Sequence, residues 1–89
     1  MDYDSIEKLI DEGLLATALA HITENLESNP QDARMHLLHG KLMMKESRWG
    51  DAISCFLKAE AIEPDGPARE AREMLTDIMD FYNKDMYNQ

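Results

Sequence analysis

The sequence predicts an all-α helical-repeat fold, two helical hairpins followed by a C-terminal capping helix, about five helices in all. Three observations predict it. First, Asn29-Pro30 and Glu63-Pro64 close two similar stretches. The step from Pro30 to Pro64 also pairs Leu15 with Trp49, Ala18 with Ala52, Leu19 with Ile53 and Ile22 with Phe56, so size and polarity match without a gap. Second, the apolar residues within each stretch recur every three or four positions, the spacing of one face of a helix. Third, Val is absent while Leu, Ala, Glu and seven Met are plentiful, a composition that favours helix over strand.

The elements follow in chain order. The first helix is predicted over Asp4–Glu12, with Ile6, Leu9 and Ile10 apolar, and with Asp4 and Glu7 as a capping-box-like start. Gly13 makes the turn into the second helix, whose stripe is Leu15, Ala18, Leu19, Ile22 and Leu26. A residue before proline is pushed out of the helical region, so Asn29 and Glu63 are stops. The third helix runs from Asp32, its N-cap, to Glu46, with Met35, Leu38, Leu42 and Met43 on one face. The turn Glu46-Ser47-Arg48 leads to a fourth helix striped by Trp49, Ala52, Ile53, Phe56, Ala59 and Ile62. Pro67 suits the first position of a fifth helix, which reaches Tyr82 with Ala71, Met74, Leu75, Ile78 and Tyr82 on one face. One domain over 1–82 is expected: repeats at about 3–32 and 33–66, a cap at 67–82, and a frayed helix or tail at 83–89.

Charge narrows the function. Eighteen acids against nine bases give a net charge of −9, which disfavours binding to the nucleic-acid phosphate backbone. Cys55 is the single cysteine, so no intrachain disulfide forms. The opening Met1-Asp2-Tyr3-Asp4 has neither the basic nor the apolar region of a signal peptide, and no stretch is long enough to span a bilayer. A soluble cytoplasmic protein, bound to neither membrane nor nucleic acid, is the expectation.

These residues resemble the tetratricopeptide repeat (TPR) family, whose unit is two antiparallel helices in about 34 residues. The step from Pro30 to Pro64 has that length. Gly40 stands where that family has its close helix crossing, and Trp49 where an aromatic opens the second helix. Ala52, Phe56 and Ala59 match its small–bulky–small series, and Pro64 its closing proline. The likeness covers Tyr3 to Tyr82 and is strongest from Ala33 to Gly66; Asn25 and Ile6 in the first unit, and His36 and His39 in the second, depart from the usual residues. The fifth helix resembles a solvating cap and fits best with one extra residue in the loop before it. The resemblance implies a right-handed superhelix and a concave groove that holds a peptide or protein segment. It implies that Arg34, Leu37, Lys41, Met44 and Lys45 face that groove, joined by Arg69 and Arg72 from the fifth helix. The family's carboxylate clamp for chaperone tails is not matched, because Tyr3, Glu7 and Leu38 occupy three of its places.

Segment charges agree with such a groove. Residues 1–30 carry −6, 31–48 carry +2, 49–66 carry −3 and 67–89 carry −2, so the groove-lining helix is the only net-positive segment. A cationic strip beside Leu37 and Met44 suits an extended, acidic peptide, although Lys and Arg are also ordinary solvated surface residues.

No chemistry is expected, and no cofactor or metal. His36 and His39 have a spacing that can reach one metal ion, yet no third ligand completes the set, so both read as structural. His21 is expected on the outer surface, and Cys55 on the convex side without a base to activate it. Asp11-Glu12 and Glu70/Glu73 read as helix-surface charges, and no phosphate loop or nucleophile elbow is present. The end of the chain has an apolar surplus in Met79, Phe81, Met86 and Tyr87. Either these residues fold back over the last hairpin, or they make a homodimer contact. The expected function is therefore a protein-binding adaptor, with a self-associating structural homo-oligomer as the alternative.

Overall fold

The computed structural model describes residues 1–82, main chain throughout and side chains through Phe81. They form five helices and no strand: α1 (Tyr3–Asp11), α2 (Leu15–Ser28), α3 (Ala33–Lys45), α4 (Trp49–Ile62) and α5 (Pro67–Tyr82). The step from Pro30 to Pro64 recurs in the helix ends. It carries Asp11 to Lys45, Leu15 to Trp49, Ser28 to Ile62 and Ala33 to Pro67.

The same step carries one turn onto the next. After α1, the Gly13 amide donates to the Ile10 carbonyl at 3.0 Å and the Leu14 amide to the Leu9 carbonyl at 2.9 Å. After α3, Ser47 donates to Met44 at 3.0 Å and Arg48 to Met43 at 2.9 Å. Both are Schellman closures, which need a left-handed residue just past the helix. Gly13 supplies it at φ 81° and Ser47 at φ 60°. Asn29 and Glu63, each before a proline, leave the helical region at φ −144° and −133° and end α2 and α4.

The starts of α1 and α3 are capped by short acids, whereas α2 and α4 begin without a side-chain cap. Asp32 accepts from the Met35 amide at 3.1 Å, as expected. In α1 the cap is Asp2, accepting from Ser5 at 2.8 Å, rather than Asp4. Asp4 lies on the solvent side and pairs with Arg34 instead. The expected extra residue before α5 is not present, because Pro67 opens α5 one unchanged repeat step after Ala33 opens α3.

α3 is the centre of the packing and meets α1, α2 and α4, whereas α5 packs on α4. Ile6 and Ile10, Ala18 and Ile22, Met35, Leu38, Leu42 and Met43, Ala52 and Phe56 form a continuous buried cluster. Buried Gly40 lets α4 come close: a β-carbon there would stand 2.6 Å from Phe56 Cδ1, 2.9 Å from its Cζ and nearer still to its Cε1. Cys55, expected on the convex side, belongs to the core. His21 is half-buried rather than fully at the surface.

Two apolar expectations change. Trp49 opens α4 at a point where α3 has already ended, and it remains 39% exposed. On α5, Ala68 and Leu75 are buried, with Ala71 and Met79 packed at the edge of the core. Met74 and Ile78 lie on the adjoining flank, 60% and 47% exposed. Met79 is thus part of the packing rather than surplus, and Phe81 is 79% exposed. The side chain of Tyr82, and Met86 and Tyr87, lie outside the described residues.

Candidate partner-binding surface

Four polar contacts hold α1 to the start and middle of α3. Tyr3 donates its hydroxyl to Asp32 Oδ2 at 2.7 Å, which raises the phenol's pKa because the neutral form is the donor. The Arg34 guanidinium lies 4.5 Å over the Tyr3 ring and reaches Asp4 at 3.2 Å. Lys41 meets Glu7 at 2.8 Å, and this hydrogen bond holds the Glu7 carboxyl below the ordinary carboxylate range. Two of the cations expected to await an acidic ligand are therefore already matched by acids of α1.

The same holds on α5. Arg72 grips both oxygens of Glu60 on α4, at 2.6 and 3.2 Å, with both side chains largely covered. The hydrogen bond lowers the Glu60 pKa and raises that of Arg72. Arg69 reaches Glu73 one turn on at 3.1 Å. Of the expected groove cations, Lys45 alone makes no ion pair among the described residues.

The seven sequence candidates are divided among several places. Lys41, Met44 and Lys45 come together with Ile10, Asp11 and Trp49 around an open concavity of about 390 Å³ where α1 and α3 end and α4 begins. Arg34 and Leu37 line a tight hollow of about 20 Å³ at the other end of α3, against Ala59, Pro67 and Ala68. Arg69 borders a third depression, of about 210 Å³, together with Asp65, Glu70 and Glu73. Arg72 is committed to Glu60. Sequence reasoning missed Trp49 as a surface residue. The cue was its place at the very start of a helix, where only the ends of α1 and α3 flank it.

The histidines are used one by one. His36 Nε2 donates to the Pro30 carbonyl at 2.8 Å, tying α3 to the loop before it, and its Nδ1 is buried with no partner among the described residues. His39 is half-buried, and its pKa is lowered first by that burial and then by His36. Burial raises the Cys55 thiol pKa, which favours the unreactive neutral form. Among the described residues no three His, Cys, Asp or Glu side chains gather as a metal site, and no helix is long and apolar enough to cross a membrane.

No protein-family model matches the chain, and no curated protein matches it. Among solved structures, the solution NMR structure of Bacteroides fragilis protein BF1650 is 38% identical and superposes with a TM-score of 0.88, over 100% of this chain and 92% of that one. The chain belongs to the BF1650 family. Identity at that level over the whole chain makes the five-helix arrangement a property of the BF1650 family rather than of one sequence.

Proposed function

We infer that this chain is a protein-binding module of the tetratricopeptide type, a superhelical repeat that takes a segment of another protein on its inner face. What supports the repeat is the recurrence of helix ends and Schellman turns at one fixed step, together with the close seat of Phe56 on Gly40. One observation carries the binding site: the concavity that joins Lys41, Met44 and Lys45 to half-exposed Trp49. An indole and a thioether there offer an apolar seat, and aromatic residues dominate binding energy at interfaces. Lys45, outside any ion pair among the described residues, offers a carboxylate of the ligand its counter-charge. The ligand is an extended segment with an apolar anchor beside an acid, held at this end of α3 rather than along the whole helix. At the other end Arg34 is already paired with Asp4.

The test uses the only tryptophan in the chain as its reporter. A displayed peptide library is selected on the wild-type protein alone. Selected peptides are then titrated while Trp49 emission is followed. Acid-and-apolar peptides that change the emission, and that bind at least about tenfold more weakly to Lys45→Glu, a loss of about 1.4 kcal/mol, support the site. Peptides that bind both proteins equally, or leave Trp49 unaffected, overturn it.

A further inference from the structure

The exposed flank of α5 forms a second surface. Helical spacing turns Ala68, Ala71, Leu75 and Met79 onto the core and leaves Met74 and Ile78 on the adjoining side, 60% and 47% exposed. One repeat step before Met74 stands Gly40, which the Phe56 ring of α4 covers. Among the described residues no helix lies over Met74 in the corresponding way. Glu70, one turn before Met74, and Asp77, one turn after it, edge the same strip. Both are exposed, and neither makes an ion pair among the described residues.

We propose that the Met74–Ile78 strip of α5, edged by Glu70 and Asp77, docks an amphipathic helix of a partner protein that carries Lys or Arg beside its apolar stripe. Charge selects this occupant. A second copy packed antiparallel about a two-fold axis would bring the same acidic edge against itself, where like charges oppose association, and a parallel copy would offer that edge no Lys or Arg from the strip. A basic helix satisfies both features: its apolar positions lie on Met74 and Ile78, and its cations meet Glu70 and Asp77. The exposed Met adapts to varied apolar shapes because its thioether chain is unbranched and flexible. This surface is separate from the concavity at Trp49 and does not depend on it.

The experiment titrates the full chain into two fluorescently labelled peptides of identical helical pattern, one Leu/Lys and one Leu/Glu, and reads anisotropy. The expected result is binding of the Leu/Lys peptide only, weakened at least about tenfold by the Met74→Gln, Ile78→Gln pair. Glu70→Lys with Asp77→Lys should transfer the preference to the Leu/Glu peptide, and Lys45→Glu should leave it unchanged. Equal binding of the Leu/Lys peptide by wild type and by the Met74→Gln, Ile78→Gln protein overturns the proposal. It also fails if sedimentation finds a dimer that the glutamine pair dissociates, which assigns the strip to a second copy. Nuclear Overhauser contacts from residues 83–89 to the Met74 and Ile78 methyl groups in the isolated chain would assign it to the chain's own end, and would equally overturn the proposal.

Discussion

Phe56 and Gly40 share one volume: the ring lies so near the glycine that a β-carbon would stand 2.6 Å from Cδ1. Phe56 is wholly buried, so the ring has nowhere to retreat. In an exposed helix, Gly→Ala gains about 1 kcal/mol of helix propensity. Here the overpacking, which costs about 1–3 kcal/mol, outweighs it, and Gly40→Leu costs more. Phe56→Ala should lose about 3–5 kcal/mol through its cavity. The sharper expectation is a change of sign: in the Phe56→Ala background, Gly40→Ala becomes stabilising, because the propensity remains and the clash does not. Urea denaturation of the four proteins reads this directly, and a destabilising Gly40→Ala in both backgrounds would separate the two residues.

Trp49 shows what periodicity conveys and what it omits. The repeat step placed α2 and α4, the turns at Gly13 and Ser47, the stops at Asn29 and Glu63, and the core positions Ala52 and Phe56, because these depend on the local pattern. Spacing gives the direction of a side chain, however, and not whether another element reaches that far. Trp49 points along the core-facing stripe of α4 but stands at its first residue, past the end of α3. Met74 and Ile78 extend the apolar arc of α5 beyond the part that α4 covers. The groove cations were legible as a positive segment, but their acids in α1 and α4 are distant in sequence, so their pairing was not. At 39% exposure, Trp49→Ala should cost about 1–2 kcal/mol, well below Phe56→Ala. Equal losses for the two in thermal melts would place Trp49 in the core after all.

Ser47 adopts φ 60° in a turn whose counterpart is Gly13. A left-handed residue other than glycine costs about 1–2 kcal/mol, and glycine forfeits about 0.5–1 of that in unfolded-chain entropy. Ser47→Gly should therefore stabilise the protein by about 0.5–1 kcal/mol. Gly13→Ala should destabilise it, since its φ is 81° with open space around it and only backbone strain to add. The pair of melting temperatures should move in opposite directions.

Arg72 and Glu60 fasten α5 to α4 with two hydrogen bonds, at 2.6 and 3.2 Å. Replacing Glu60 alone leaves Arg72, largely covered, with only the weaker approach of Glu73 at 4.0 Å as counter-charge, which is worse than replacing both Glu60 and Arg72. Glu60→Leu should speed amide exchange through the first turns of α5 while leaving α1 and α2 near wild type, because α5 packs on α4. Adding Arg72→Met should restore much of the protection. Uniform exchange across all five helices in Glu60→Leu would mean that α5 does not open by itself.

His39 gives stability a pH dependence whose sign follows from its burial. Its pKa in the folded chain lies below the ordinary imidazole value, first because burial disfavours the cation, then because His36, Lys58 and Arg48 add positive potential that Asp51 only partly offsets. As pH falls through about 6.5, the unfolded chain takes up a proton that the folded chain refuses. The unfolded state then binds more protons, so stability declines as pH falls, until the folded form also protonates. Carboxylates such as Glu7 and Glu60, whose pKa values are lowered, act in the same direction, but from the carboxylate range downward. Between about pH 7 and 5.5 the slope therefore belongs mainly to imidazole. His39→Gln should flatten it in urea midpoints taken across that window. An unchanged slope in His39→Gln would assign the proton uptake to another group.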